Sequence, residues 1–598
     1  MCGIIGYLGS EDFKQYVLTG LALIQNRGYD SVGISYINDN VIHTYKKASV
    51  DTHDSLKIVS EYMEQHESTI AIGHTRWATH GGKTDINAHP HSDIHNTLVL
   101  AHNGIIENYL DLRTMLENNG YSFISQTDTE VISNLIHYYY KGDMKQAITD
   151  ATNELSGTWA LVIIHKDYPN KMWVTRHGSP ILLGLNENFA MIVSEQTAFG
   201  NHITKFVPIE NYNVVEIVYN DGITYSTKFN EHHIITKSKV QLERNPSPYD
   251  HWMIKEIMEQ PKAIMGALNN GARIPSNNKV KLGGLELHKD LLMETQHLIL
   301  LGCGTSYNAG LWSLNMFKRM KVFDSITLYD GAEFTEYDIP RGNVSLVLLS
   351  QSGETRDLIR CLDIAKQHSL TTIGIVNVVD SFIARETTCG IYLNAGMEVA
   401  VASTKSFTNQ CIVLTLLCLW FAQNKGIYNN TIITDLRKLC IQMEYVLSKQ
   451  DVVNTVINHI DVSTSSFLLG KGQEQAIANE GALKLKEIAY MNAQGYSSSA
   501  LKHGPFALII PKLPIFIIDV NYEHHDKNMS AYNEVKARGA NVYLISCHEE
   551  TIFDVPQNTT FGGLLANIYF QLISYKLALR GGYNPDYPRN LAKVVTVD

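Results

Sequence analysis

Several patterns that mark familiar protein classes are missing from this sequence. The eight cysteines are scattered, with no Cys-x-x-Cys pair and no Cys/His spacing typical of zinc, which indicates free thiols in a reducing compartment. The 24 histidines include no His-Glu-x-x-His pair, so no metal ion is predicted. The net charge of -11 and the lack of a basic run argue against a nucleic-acid partner.

Long apolar runs are missing as well. The longest, residues 411–422, is far shorter than the roughly 20 residues that cross a bilayer. The first residues carry acids where a secretory signal needs a basic stretch and then a long apolar one. We therefore expect a cytoplasmic protein with no membrane segment. A globular composition over 598 residues predicts several domains.

Cys2 follows the initiator methionine, whose removal is sterically easy before a small residue. The mature chain would then carry a thiol beside a free α-amino group. Such amines have a pKa of about 7.7–8.0 and can hold or pass a proton near neutral pH. A thiol next to its own base is a ready nucleophile. Taken alone, however, Cys2 favours the simpler interpretation of a small apolar residue that begins a strand.

Two predicted strands in the N-terminal third lead into polar loops. Residues 70–74 run into a donor-rich loop with Arg76, which suits a carboxylate ligand or is a solvated surface loop. Residues 97–102 end in Asn103 and Gly104, which form a turn or supply the two N–H donors of an oxyanion hole. Thr127 and Asp128 precede an apolar run, where either caps a helix or Asp128 faces a ligand's ammonium group.

The N-terminal third carries, in this order, the motifs MCGIIGY, RGYDSVG, HTRWATHGG, NAHPH, HNGIIENY and TDTEV. Their order and spacing resemble the glutaminase domain of glutamine:fructose-6-phosphate amidotransferases. The resemblance implies a four-layer αββα domain of the N-terminal-nucleophile (Ntn) type over residues 2–235, with Cys2 as the nucleophile. It implies glutamine binding by Arg76, Thr79, His80, Gly104 and Asp128, an oxyanion hole of Asn103 and Gly104, and gating residues Trp77 and Arg27.

Residues 236–250 are polar, contain two prolines and read as a linker. Strands and helices alternate beyond them, which is the α/β signature. The strands at 297–301 and 345–349 end in loops rich in Ser and Thr. Such loops cradle phosphate at helix N-termini or simply cap the helices. The resemblance favours sugar-phosphate binding by Thr305, Ser306, Ser350, Gln351, Ser352, Thr355, Ser403 and Ala592.

An internal repeat links the two halves of this region. Residues 466–472 echo 298–304, and 514–518 echo 345–349. We expect two doubly wound parallel sheets, which resemble the paired sugar-isomerase (SIS) domains of the same family. The predicted isomerase region spans 251–585, with the first SIS domain at about 285–425 and the second at about 455–585. A tail at 586–598 would close the sugar site.

Glu480, Lys484 and Glu487 share one face of a predicted helix, a spacing that usually forms a surface ion-pair ladder. The resemblance implies instead that Glu487 moves a proton between C1 and C2 of the sugar, assisted by Lys484. It implies that His503 opens the fructose ring and reaches the neighbouring subunit of a homodimer. Lys593 would form the Schiff base.

The resemblance predicts a mixed α+β and α/β multidomain enzyme that makes glucosamine 6-phosphate from L-glutamine and D-fructose 6-phosphate without a cofactor. Two alternatives remain open, which are a glutaminase with a sugar-phosphate sensor and a non-enzymatic phosphosugar regulator. The sequence departs from the family at Ala500, where a Glu is usual, and over residues 549–563, which are shortened. Neither departure falls on a predicted catalytic residue.

Overall fold

The structure is a computed structural model that describes residues 2–49, 54–78, 80–229, 234–236, 245–548 and 551–594. Thr79, most of the predicted linker (237–244), residues 549–550 and the end of the tail (595–598) lie outside the described residues. The chain divides into two compact units. Unit 1 comprises Met1–Arg244 with Val594–Val597, and unit 2 comprises Asn245–Lys593.

Unit 1 is built on two antiparallel sheets. Its strands are β1 (Gly3–Gly9), β2 (Ser31–Asn38), β3 (Val41–Ala48), β4 (Ile70–Arg76), β5 (His91–Ser92), β6 (Leu98–Ile106), β7 (Gly157–His165), β8 (Lys171–His177), β9 (Leu182–Leu185), β10 (Phe189–Val193), β11 (Lys205–Pro208), β12 (Val215–Tyr219), β13 (Ile223–Tyr225) and β14 (Ile235–Thr236). Within the described ranges, one sheet has the order β14-β11-β9-β10-β1-β4-β2-β3 and the other β13-β12-β8-β7-β6-β5.

Helices cover the outer face of each sheet. They are α1 (Lys14–Leu23), α2 (Ser55–Met63), α3 (Tyr109–Asn118), α4 (Asp128–Tyr139) and α5 (Met144–Asn153). Strand β1 shows how the layers form, because its side chains alternate between two cores. Ile5 and Tyr7 pack under α1 and α2, whereas Ile4 and Leu8 pack against the second sheet. The second sheet covers its other face with α3, α4 and α5. The predicted four-layer αββα arrangement is confirmed.

Unit 2 begins with helices and continues as alternating strands and helices. Its helices are α6 (Trp252–Met258), α7 (Gln260–Ala267), α8 (Gly283–Glu286), α9 (Lys289–Met293), α10 (Thr305–Met320), α11 (Arg356–Gln367), α12 (Phe382–Glu386), α13 (Lys405–Asn424), α14 (Asn430–Ser448), α15 (Asp451–Ile457), α16 (Glu474–Ala489), α17 (His525–Lys536) and α18 (Gly562–Arg580). Its strands are β15 (His297–Gly302), β16 (Ser325–Asp330), β17 (Val344–Ser350), β18 (Thr371–Val376), β19 (Cys389–Tyr392), β20 (Ser466–Gly470), β21 (Ala493–Ser497), β22 (Pro514–Asp519), β23 (Asn541–Ser546) and β24 (Phe553–Asp554).

The strands of unit 2 form two parallel sheets with the same topology. Their orders are β16-β15-β17-β18-β19 and β21-β20-β22-β23-β24, so each sheet runs 2-1-3-4-5 in its own numbering. Strands β20, β22 and β23 hold the same places as β15, β17 and β18, which agrees with the internal repeat read from the sequence. In this doubly wound topology, ligands bind at the carboxyl ends of the first and third strands.

A large apolar core joins the two sheets through buried helices. α13 is buried along almost its whole length, as is α18. Among the described residues, α13 alone is long and apolar enough to cross a membrane, but 94% of its apolar window is buried inside the protein. Such burial on all sides is typical of a central core helix.

Candidate active sites

Cys2 lies just before β1, beside the end of β4. Its Sγ accepts a hydrogen bond from the Trp77 backbone N–H at 3.3 Å and lies 3.5 Å from the Trp77 carbonyl oxygen. The side chain is partly accessible. A thiol held by backbone groups and open on one side is suited to attack a carbonyl carbon.

Asn103 stands next to Cys2 and is fixed from both ends of its amide. Its Nδ2 donates to the Cys2 carbonyl oxygen at 3.1 Å, so Oδ1 points the other way, to His74 Nε2 at 3.1 Å. His74 Nε2 also lies 3.0 Å from the His102 carbonyl oxygen. Both of its neighbours are acceptors, so Nε2 carries the hydrogen and donates. The second Nδ2 hydrogen of Asn103 remains for a ligand.

His74 is neutral in this environment. Burial, together with the nearby Arg76 guanidinium, lowers the pKa of His74 to about 3. His89 stacks on His74 at 4.3 Å between ring centroids, and burial also lowers its pKa. A neutral imidazole with a single Nε2 hydrogen holds Asn103 in one orientation at every pH from about 5 upwards.

Gly104 takes a backbone conformation that favours glycine. Its φ is +136°, and a Cβ at this position would lie 2.0 Å from the Thr158 carbonyl oxygen. β6 nevertheless continues through both residues to Ile106, with Gly104 paired to Trp159 of β7, so Asn103 and Gly104 do not form a turn. The predicted oxyanion pair, Asn103 and Gly104, lies beside Cys2 through the Asn103 hydrogen bond.

Arg76 and Asp128 form a charged end to this site. Arg76 is 3% exposed and donates to the carbonyl oxygens of His80 and Gly82. Burial lowers the pKa of Arg76. Cys2, Asp30 and Asp128 act in the opposite direction, so these three residues lie near the guanidinium group. Asp128 does not cap α4, because Thr127 does so and the Asp128 carboxylate accepts from the Ile106 N–H at 3.0 Å. A guanidinium and a carboxylate suit the two charges of an amino acid.

Of the two predicted gating residues, Trp77 lies at this site, where its backbone contacts Cys2. Trp77 packs edge-on against Tyr29 at 6.0 Å. Arg27 is buried and pairs with Glu195 at 3.1 Å. His80 contacts Arg76 through its backbone and Tyr109 through its ring. Thr79 is outside the described residues.

In unit 2, Lys484 lies at the centre of a buried cluster. Its Nζ is 2.6 Å from Glu487 Oε2, 3.3 Å from Glu480 Oε1 and 3.0 Å from Thr305 Oγ1. The side chains of Lys484 and Glu480 are fully buried, and that of Glu487 is 20% exposed. The three residues of the α16 face are therefore not a solvated surface ladder. Glu487 is the member that a ligand can touch.

The charges of this cluster depend on each other. Burial alone would lower the pKa of Lys484, but Glu480 and Glu487 outweigh it and the pKa is raised. Burial raises the pKa of Glu480, which Lys484 and a hydrogen bond from Asn308 oppose. Removing Lys484 would leave buried carboxylates without a counter-charge, which is far more costly than losing a surface pair.

Hydroxyl groups line the carboxyl ends of β15 and β17, which are neighbouring parallel strands. Ser350 Oγ lies 2.9 Å from Thr355 Oγ1 and 3.4 Å from Ser352 Oγ. Thr355 precedes α11 but makes no side-chain capping bond, and α10 begins after Gly304 without one. Ser350 and Ser352 instead accept from the N–H groups of Gly353 and Glu354 in the loop before α11, and two helix N-termini lie at one sheet edge. That arrangement suits a phosphate group.

Thr305 and Ser306, at the start of α10, link this edge to the neighbouring helices. Thr305 Oγ1 donates to Glu480 at 3.1 Å, and Ser306 Oγ accepts from Gln410 Nε2 at 2.9 Å. Gln351 lies in the loop after β17, where its carbonyl oxygen accepts from the Asn377 N–H. The structure thus brings the predicted hydroxyls and the α16 cluster together around the N-terminus of α10.

Lys593 is held by a buried carboxylate that the sequence analysis did not identify. Its Nζ is 2.6 Å from Glu398 Oε2 and 3.3 Å from Ser403 Oγ. Both side chains of the ion pair are almost fully buried. Burial would raise the pKa of Glu398, but Lys593 and hydrogen bonds from Thr404 and Ser406 lower it to about 2.

A second buried carboxyl group, Glu256, lies near this pair. Burial and the adjacent Glu398 raise the pKa of Glu256 to about 8, against the opposing effect of Lys593 and Lys405. Its Oε1 accepts from the N–H groups of Val399 and Ala400, and its Oε2 has no hydrogen-bond partner among the described residues. Glu256 is therefore protonated at neutral pH and can exchange a proton near pH 8.

The remaining predicted residues stand apart. His503 is exposed in a short 3-10 turn, and within the described part of the chain no hydrogen bond joins it to the other predicted site residues. Ala592 is half-buried next to Lys593. The structure thus brings most of the predicted residues into two sites but does not join His503 to either.

Comparisons with known proteins match both halves of the chain. A family model described as a glutamine amidotransferase domain matches residues 74–201, and the SIS domain model matches residues 291–419 and 460–555. A protein of Acanthamoeba polyphaga mimivirus, named a probable isomerizing glutamine–fructose-6-phosphate aminotransferase, is 40% identical over 617 aligned residues, which cover 100% of both chains. A Clostridium tetani protein of the same name is 36% identical over 620 aligned residues, again covering 100% of each.

The chain belongs to the isomerizing glutamine–fructose-6-phosphate aminotransferase family. A solved C-terminal domain of a glucosamine-fructose-6-phosphate aminotransferase from Francisella tularensis superposes with a TM-score of 0.54 at 30% identity. The superposition covers 57% of this chain and 99% of the solved domain. The predicted family and fold class are confirmed.

Three residues at these aminotransferase-family sites were missed in the sequence. Glu398 lies shortly before the 402–406 loop, and no periodic sequence pattern around it indicates that it contacts Lys593. Glu480 was read only as one step of an ion-pair ladder. His74 belongs to a quoted motif, but its hydrogen bond to Asn103 depends on the pairing of separate strands.

Proposed function

We propose that the chain transfers the amide nitrogen of L-glutamine to D-fructose 6-phosphate and releases L-glutamate and D-glucosamine 6-phosphate. One observation carries this proposal. In a single chain, Cys2 is hydrogen-bonded to Asn103, and Lys593 is paired with Glu398 beside Ser403. Full-length similarity to aminotransferases that bear this name supports both halves of the reaction. The product begins hexosamine synthesis in this family.

At the first site, Cys2 Sγ attacks the amide carbon of glutamine. The oxyanion receives hydrogen bonds from Asn103 Nδ2 and the Gly104 N–H. Arg76 holds the substrate carboxylate and Asp128 its ammonium group, with Thr79 and His80 closing the pocket. Once Met1 is removed, the Cys2 α-amine takes the thiol proton, through water, and passes it to the departing ammonia. Water then hydrolyses the thioester to glutamate.

At the second site, His503 opens the fructose ring and Lys593 attacks the C2 carbonyl with loss of water. Ammonia displaces the lysine from the resulting imine. Glu487 removes the proton from C1 and returns it to C2, which yields the aldose amine. The hydroxyls around Ser350 and Thr305 hold the phosphate. Lys593 passes its proton to solvent before it attacks, and Glu398, whose Oε2 lies 2.6 Å from Nζ, orients the amine.

Lys484 acts through Glu487 in this scheme. Its side chain has no exposed surface, whereas Glu487 retains 20%, so Lys484 positions the carboxylate that touches the sugar. Lys484 Nζ lies 2.6 Å from Glu487 Oε2, which fixes the position of this carboxylate.

Several finer features belong to the same proposal. The domain boundaries are 2–235 for an Ntn-type glutaminase, 236–250 for the linker and 251–585 for the isomerase region, followed by the closing tail. Ammonia passes internally from the first site to the second, with Trp77 and Arg27 as its gate. The enzyme is a cytoplasmic homodimer, and the exposed His503 completes the neighbouring subunit's sugar site.

The reaction is tested by incubating the purified full chain with L-glutamine and D-fructose 6-phosphate and analysing the products by mass spectrometry. We expect equal amounts of glutamate and glucosamine 6-phosphate. Glutamate without amino sugar would contradict the proposal and favour a glutaminase with a sugar-phosphate sensor. Formation of neither product would favour a phosphosugar-binding protein.

A further inference from the structure

A second group of ligating side chains lies at the carboxyl edge of the second parallel sheet. Asp519 is the last residue of β22, and Cys547 and His548 directly follow β23. The two strands are neighbours, with Asp519 paired to Ser546 in register. His525 is the first residue of α17. None of these residues has a role in the reaction proposed above.

The geometry of this group suits a metal ion. One ligand atom from each of Asp519, His525 and His548 lies within 4.8 Å of the others. Cys547 Sγ is 3.6 Å from the ring nitrogens of His548. Tetrahedral zinc with bonds of about 2.1 Å to nitrogen and 2.3 Å to sulfur separates those two ligand atoms by about 3.6 Å. Asn528 supports Asp519 by donating to its Oδ1 at 3.2 Å.

The charge at this edge favours a cation. Asp519 is fully buried, and Glu474 is 5% exposed with no hydrogen-bond partner for its Oε2 in the described ranges. Glu523 and Asp519 add negative charge near the Glu474 carboxyl group. A divalent ion would relieve this repulsion between buried acids.

The same edge of the first sheet has the opposite character. There the loops carry the hydroxyls of Ser350, Ser352 and Thr355 at helix N-termini, which suit an anion. The second sheet has the same strand order as the first, but its loops do not have the anion-binding character of those in the first sheet. Asp519 at the end of β22 and Glu474 at the start of α16 would repel a phosphate.

We propose that Asp519, His525 and His548 bind one divalent zinc-like cation, with the Cys547 thiolate as the fourth ligand. On binding, the thiol proton passes to solvent and a sulfur–metal bond forms, with no change of oxidation state. One carboxylate, two imidazoles and one thiolate form a ligand set that zinc accepts in four-coordinate sites. The hydrogen bond between Asp519 and His525, now 2.7 Å, opens as both groups turn to the ion.

The test is a titration of the chelator-treated full chain with Zn²⁺, followed by Co²⁺ as a spectroscopic substitute. We expect about one equivalent of tightly bound metal and a cobalt spectrum with a thiolate charge-transfer band. His548→Ala and His525→Ala should each weaken binding at least about 10-fold, the loss that even an outer-shell change causes. Cys547→Ser should abolish the charge-transfer band while cobalt still binds.

The matched control is His524→Ala, which removes a histidine directly beside His525 but outside the group. It should bind zinc within about twofold of the wild type. Repeating the titration with Cys2→Ala excludes the N-terminal thiol as the ligand, and far-UV circular dichroism checks that each variant is folded. Failure of the wild-type chain to retain zinc, or equal binding by folded His525→Ala, His548→Ala and wild type, would overturn the proposal.

Discussion

The surroundings of Cys2 and of Lys593 differ in how they use charge. The hydrogen bonds around Cys2 come from backbone groups of Trp77 and from the Asn103 amide, which a neutral histidine orients. Lys593 instead forms a buried ion pair with Glu398, close to the raised-pKa carboxyl group of Glu256. The hydrogen bonds around Cys2 need no counter-charge, whereas a buried ammonium group does.

This difference indicates how each site responds to substitution. Around Cys2, the loss of one hydrogen bond should reduce the rate and leave the fold intact, because no buried charge is uncovered. Around Lys593, the loss of one carboxylate exposes an uncompensated charge in the interior, so rate and stability should fall together. The four predictions below test that contrast.

The largest effect is expected for Cys2→Ala. Without the sulfur nucleophile, glutamine-dependent synthesis should fall at least about 10⁴-fold, since removal of a catalytic nucleophile costs up to about 10⁶ in comparable enzymes. Synthesis from added ammonium chloride and binding of fructose 6-phosphate should persist, because Lys593 and its partners are unchanged. Steady-state assays with each nitrogen donor provide the measurement, and loss of sugar binding would contradict the separation of the two sites.

Glu398→Gln is expected to act on both rate and stability. It leaves the Lys593 ammonium buried without a carboxylate partner, a change that typically costs about 3–5 kcal/mol. Amino-sugar formation should collapse while glutamine hydrolysis continues. The control is Glu386→Gln, which breaks the exposed ion pair with Lys366 and should change the free energy of unfolding by about 1 kcal/mol or less. Equal destabilisation of the two variants in denaturant titrations would remove the contrast between the sites.

His74 allows a finer test through two polar replacements. His74→Asn lacks a donor at the Nε2 position, so Asn103 loses its orientation and the kcat of glutamine hydrolysis should fall about 10- to 100-fold, less than for the loss of a whole oxyanion donor. The KM for glutamine should stay within about threefold, because Arg76 and Asp128 are untouched. His74→Gln places an amide N–H near the Nε2 position and should recover most of the rate. A similar loss in both variants, or a loss in KM alone, would refute the positioning role.

The smallest effect concerns Glu256 and pH. The folded-state pKa of about 8 lies above the ordinary value of 4.5, so its contribution to stability is complete below about pH 4.5 and is lost as the pH rises through 8. Glu256→Gln imitates the protonated form and should flatten the decline in stability between about pH 6 and 9, by on the order of 1–3 kcal/mol. The exposed Glu444→Gln variant should leave that decline unchanged in denaturant titrations at each pH. If the stability of Glu256→Gln declined with pH as steeply as that of the wild type, the Glu256 carboxyl group would already be ionised in the folded wild type.

The sequence predicted the architecture well because periodicity and repeats report directly on burial. The start of the chain was predicted as a strand, which is β1, and the echo of 298–304 in 466–472 predicted the second parallel sheet. The motifs around Cys2, Asn103 and Arg76 predicted residues that do lie together. Contacts between distant segments were not predictable in this way. Glu398 contacts Lys593, which is 195 positions away in the sequence. The group around Asp519 forms only because two strands end side by side.

The central claim is that nitrogen freed at Cys2 reaches the sugar at Lys593 within one enzyme. The most direct measurement supplies glutamine labelled with ¹⁵N in its amide, together with fructose 6-phosphate and an excess of unlabelled ammonium. Mass spectrometry of the product should find glucosamine 6-phosphate that carries almost entirely ¹⁵N. Product with mainly unlabelled nitrogen, or glutamate formed without amino sugar, would contradict the claim.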